Sequence, residues 1–156
     1  MQTEDNIKAG KIAALNLLQE MSSLGDYSKN DTLYVVSHSM GHAYFCGLAS
    51  VLQKHMQFAN YYALAPENAN AKRFDQKNWR GVFQYGTILY GKRKHPLCQQ
   101  DGVAPQVKMS GISKASQLGF PKTYTAELGY FSAHYVGYFD WIFNIQPEKT
   151  GSISRY

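Results

Sequence analysis

Apolar residues recur along this chain with two different periods, and the switch between them outlines its elements. From Glu4 to Met21, Ile7, Ala14, Leu17, Leu18 and Met21 share one broad face while Lys8, Lys11, Gln19 and Glu20 lie elsewhere, the pattern of an amphipathic helix. Ser22 to Asn30 ends it. Thr32 to Val36 is a short β-branched and aromatic run without polar alternation, which predicts a strand buried on both faces, as in parallel sheets. Met40 to His55 reads as a helix whose early turns carry Gly41, Ala43, Cys46, Gly47, Ala49 and Ser50, so close packing against a sheet is expected. Further strand-like runs extend from Phe58 to Ala65, closed by Pro66, and from Gly81 to Tyr90, closed by Gly91.

Between these runs, Glu67 to Arg80 is polar. Gly91 to Leu128 is rich in Gly, Pro, Ser and Lys and reads as long loops, with one short strand or helix around Val107 to Ile112. Ala133 to Ile145 is too apolar all round for a surface helix and is expected to be buried or covered. The tail after Pro147 reads as frayed. Strands alternating with helical segments predict the α/β class with a mainly parallel sheet flanked by helices.

Composition narrows this picture. At 156 residues and 44% hydrophobic content, the chain 1–156 reads as one domain able to build a packed core. No run is long and apolar enough to span a membrane, and the polar, acidic start from Met1 to Asn6 is unlike a secretion signal. A soluble chain, cytoplasmic or exported by another route, is the expectation. The net charge of +5 is scattered apart from Lys92, Arg93, Lys94 and His95, so a nucleic-acid partner is not expected. Two cysteines, Cys46 and Cys98, form neither a disulfide framework nor metal-ligand spacing, and neither metal nor cofactor is implied.

The chemistry concentrates in one segment, Leu33-Tyr34-Val35-Val36-Ser37-His38-Ser39-Met40-Gly41-His42-Ala43, where a buried strand runs through Ser-His-Ser-Met-Gly into a small-residue helix. This resembles the nucleophile elbow of α/β-hydrolase serine esterases and lipases, Gly-x-Ser-x-Gly, in which a sharp strand-to-helix turn lifts the serine hydroxyl above the sheet. Gly41 matches the second glycine, and Ser37, also small, stands at the first. The resemblance implies Ser39 as nucleophile and the Met40 amide, at the positive end of the helix, as an oxyanion donor. His38 would point away from the nucleophile.

A serine needs a base oriented by a carboxylate, and in this family the acid precedes the histidine along the chain. His42 and His55 fall in the helix after the turn and cannot easily swing back. The resemblance implies His134, at the entry to the last apolar segment, as the base, ahead of His95. For the acid, Gln100-Asp101-Gly102-Val103-Ala104-Pro105 resembles the segment that carries it after the seventh strand of bacterial lipases, which implies Asp101. Glu67, just past the Phe58 to Ala65 strand, is the alternative acid, and Asp75 ranks below it. The expected reaction is hydrolysis of a carboxylic ester or lipid through an acyl-enzyme. The resemblance covers only the second half of the family's sheet and lacks its second oxyanion donor, a loss of about 10²- to 10³-fold in rate. Upstream sequence, a second copy of the chain or another polypeptide is therefore expected to complete the sheet. A non-catalytic binding or interaction module on a partial hydrolase fold is the competing reading.

Overall fold

The structure, a computed structural model, describes residues 2–25, 28–67, 69, 75, 77–89, 109–112, 114–120 and 151–154. Its elements are α1 (Gln2–Leu24), β1 (Thr32–His38), α2 (Gly41–Leu52), β2 (Gln57–Leu64), β3 (Trp79–Leu89), β4 (Lys114–Phe120) and β5 (Gly151–Ser154). All four strand pairings are parallel, in the order β1-β2-β3-β4-β5. The α/β class with a parallel sheet is thus observed. Among the described residues no helix is long and apolar enough to cross a membrane.

The helices form where the period of 3.6 predicts them. Helix α1 turns Gly10 and Ala14 fully inward with Ile7 and Leu18 beside them, and ends at Gly25, whose φ of +72° reverses the chain without a Cβ penalty. Leu17 departs from its expected place and is exposed, as are Ile12, Leu15 and Leu24. The small residues of α2 also act differently from expectation, because the close approach is made to α1 as well as to the core. A Cβ on Gly10 would collide with the Tyr44 carbonyl oxygen, and one on Gly47 with that of Ile7. The two helices therefore cross with backbone against backbone.

Together α1 and α2 help cover one face of the sheet, and a core forms from Ala14, Phe45, Ala49, Leu52, Phe58, Tyr61, Ala63 and Val82. Its centre is aromatic. Phe58 and Trp79 stack with centroids 4.3 Å apart, Phe45 tilts onto Tyr61 at 4.6 Å, and Tyr61 lies 5.5 Å from Trp79. Phe58 and Tyr61 reach the same core although they stand three positions apart, an odd spacing that strict alternation would put on opposite faces. The β1–β2 register steps from Leu33 opposite Phe58 to Val35 opposite Tyr61, an extra residue in β2 that resets the alternation.

Three expectations are corrected. Strand β1 is not buried on both faces: Tyr34 and Val36 are exposed, because β1 is the outer strand of the described sheet and the described helices lie on its other side. The short strand or helix expected around Val107 to Ile112 is a strand that lies later, β4; Met109 and Ile112 instead sit buried before it, with the Met109 N–H donating to Gln84 Oε1 at 2.7 Å. The tail is not wholly frayed, since β5 pairs with β4 from Ser116 opposite Gly151 to Gly119 opposite Ser154. Both strands escape a sequence reading because most of their residues are small or polar, with Leu118 and Phe120 the large apolar residues of β4 and Ile153 that of β5, so backbone pairing with neighbours, not side-chain pattern, defines them.

The helix crossing makes a direct prediction. Alanine raises intrinsic helix propensity by about 1 kcal/mol over glycine, so an exposed site would gain. At Gly47 the collision outweighs this: Gly47→Ala is expected to cost about 2 kcal/mol or more, read as a lower midpoint in urea or thermal unfolding.

Candidate functional site

The ends of parallel strands are where α/β sheets gather functional groups, and the described chain turns sharply at the carboxyl end of β1. His38 closes the strand, Met40 is the N-cap of α2, and Ser39 alone bridges them with φ of +55°. Positive φ is uncommon for a residue with a Cβ and costs on the order of 1 kcal/mol or more, so the surroundings must impose it.

They do so through the backbone. The Ser39 N–H donates to the Leu64 carbonyl at 3.0 Å, carrying the β1–β2 ladder past the strand end. The Ser39 carbonyl accepts from the amides of His42 at 3.2 Å and Glu67 at 3.3 Å. Ala65, at the end of β2, repeats the device with φ of +41° and an N–H bonded to the Tyr85 carbonyl at 2.7 Å. Adjacent strand ends thus carry two left-handed residues in staggered succession.

Below the turn lies a buried polar chain. The Tyr61 hydroxyl sits 2.7 Å from Ser37 Oγ and 2.7 Å from His42 Nδ1, while His42 Nε2 is 3.7 Å from Cys46 Sγ. One polarity runs from the Ser37 O–H through the Tyr61 O–H to an unprotonated Nδ1, with Nε2–H directed at sulfur; the reverse polarity satisfies the same atoms. Burial pushes His42 down to about 4, and burial raises the Tyr61 phenol far above its usual range, with the Ser37 hydrogen bond opposing. Both side chains are neutral near pH 7.

The candidate residues distribute as follows. Ser39 is half-buried at the turn, and Met40 is at the helix start with φ of −60°. Glu67 is half-buried and its amide is bonded to Ser39, so the alternative acid follows β2 immediately beside the turn. Asp75 is exposed and its Oδ1 accepts the Lys77 N–H at 3.0 Å, a local turn contact. His42 is directed beneath the turn, as its place in α2 requires. Asp101, His134, His95, Cys98 and the cluster Lys92 to His95 lie outside the described residues. Cys46 is partly buried and its thiol packs against the core. The expected smallness of residue 41 is relaxed: a Cβ on Gly41 would meet Ser37 Cβ at 3.9 Å, an ordinary contact.

Sequence reasoning missed Tyr61. It lies in an apolar strand where a tyrosine reads as core, and nothing in the local pattern marks its hydroxyl as a bridge. Comparison with protein-family models, with curated proteins and with solved structures finds no match to this chain.

Two measurements follow from this geometry. With the hydroxyl absent in both variants, Ser39→Gly should be more stable than Ser39→Ala by about 1 kcal/mol in denaturant unfolding, because only alanine keeps a Cβ at positive φ. For His42, the folded pKa lies below the ordinary value, so the unfolded chain binds the proton first. Its contribution is full above about pH 6.5 and is lost as pH falls towards 4, amounting to about 3 kcal/mol. Unfolding free energies between pH 4 and 7 should show this slope in the wild type and a shallower one in His42→Gln.

Proposed function

We propose that this chain is a serine hydrolase of α/β-hydrolase type acting on carboxylic esters, with Ser39 as its nucleophile. One observation carries the reading: the residue singled out by Ser-His-Ser-Met-Gly is a non-glycine residue held at φ of +55° between a parallel strand and a helix. Backbone strain of this kind is expected where a side chain must be presented in a fixed direction. Chain order supports it as well. Along the sequence Asp101 comes after β3 and before β4, and His134 after β4 and before β5, so the order nucleophile, acid, base is that of the family.

In this mechanism His134 takes the proton from Ser39 Oγ as the oxygen attacks the ester carbonyl. The tetrahedral oxyanion forms next to the Met40 amide, at the positive end of α2, and Asp101 holds the imidazole in the required tautomer. His134 then protonates the departing alcohol, and water releases the acyl group by the same steps in reverse roles. The edge of β1, outermost among the described strands, gives a further strand a place to pair, whether from upstream sequence, a second copy or another polypeptide, and such a strand would bring the second oxyanion donor.

A fluorophosphonate probe tests the assignment. Wild-type protein is expected to be labelled and Ser39→Ala not, and a folded, complete assembly that resists labelling would leave a binding module as the better reading. The acid is decided by kinetics: Asp101→Asn should lower kcat by about 10³- to 10⁴-fold, with Glu67→Gln within a few-fold of wild type. The opposite ranking reassigns the acid to Glu67.

A further inference from the structure

Ser37 stands where the elbow pattern has glycine, and its hydroxyl is turned into the buried chain with Tyr61 and His42. Residues 37 and 42 flank Ser39 on either side, one in β1 and one in α2. A single oxygen, from β2, bonds both. The Tyr61 side chain is fully buried, so no solvent replaces these contacts at its site. It is also fixed in direction, because Phe45 at 4.6 Å and Trp79 at 5.5 Å pack against its ring. The hydroxyl therefore acts as a rigid peg that sets the spacing of strand end and helix start, and the strained residue lies between those two points.

We propose that Tyr61 is a positioning residue for Ser39, holding the turn at positive φ by bridging Ser37 and His42; the catalytic consequence rests on the hydrolase reading above. Without the bridge, the backbone bonds to Leu64, His42 and Glu67 are left to hold strand end and helix start, φ at residue 39 departs more readily towards the ordinary negative range, and the presentation of the hydroxyl loosens. The chain nevertheless keeps the aromatic ring in its core. Tyr61 touches no substrate in this account and acts only through the backbone on either side of the serine.

The test compares Tyr61→Phe with Leu52→Ala, a truncation of a fully buried residue at the far end of α2. Amide hydrogen exchange is followed by NMR well below each unfolding midpoint, with the Ala65 amide as internal reference, since that turn is strained alike but anchored to β3. Tyr61→Phe is expected to speed exchange at Ser39, His42 and Glu67 by about tenfold relative to Ala65, the size of one buried hydrogen bond. Fluorophosphonate labelling should slow by about tenfold in the same protein. Leu52→Ala should speed these amides alike and leave the labelling rate near that of wild type. Should Tyr61→Phe not fold, Ser37→Ala opens the same bridge from its other side and is expected to give the same pattern. Uniform exchange, or labelling of the bridge variant at the wild-type rate, overturns the proposal. If the exchange pattern holds but wild-type protein is never labelled, the turn-holding role stands and the hydrolase reading falls.

Discussion

A serine with a Cβ does not adopt φ of +55° unaided, and the described structure around residue 39 is arranged so that it has to. Its amide is tied to Leu64, its carbonyl to His42 and Glu67, and the residues flanking it to the hydroxyl of Tyr61. Each contact contributes modestly on its own, but they converge on a stretch of six residues. The strain of on the order of 1 kcal/mol is thereby outweighed several times over. Local conformation here is a product of tertiary contacts.

Those contacts depend in turn on how the layers meet. Tyr61 reaches the turn because the extra residue in β2 keeps it on the same face as Phe58, and because α2 lies close enough for His42 to meet it. Helix α2 is set by α1, whose Gly10 admits the Tyr44 carbonyl and whose Ile7 carbonyl fits against Gly47. A chain of close approaches, helix to helix to strand, thus ends at the serine. The neutral state of His42 belongs to the same arrangement, since a proton on this buried ring would place its charge out of water beneath the turn.

Much of this was legible in the residues. Helix α1, strands β1, β2 and β3, and helix α2 were expected within a few residues of their bounds, since long apolar periods and β-branched runs report directly on burial. The Ser-His-Ser-Met-Gly segment marked the turn because small residues on either side of a serine, between strand and helix patterns, suit a sharp reversal. Strands β4 and β5 were not legible, most of their residues being small or polar, and neither was the exposure of Tyr34 and Val36, which depends on β1 being outermost among the described strands.

Sequence by itself determined the elements from α1 to β3 and the parallel α/β class, because these are written in local periodicity and residue size, while the resemblance to the elbow pattern pointed to residue 39 as the place of reversal. Only the tertiary structure decided that Ser39 sits at positive φ, that Glu67 lies beside it, and that Tyr61, 22 residues away, bridges its two flanks. Hydrogen bonds between distant residues leave no periodic trace in a chain, and a tyrosine in a core strand looks the same whether its hydroxyl is a peg or a passenger.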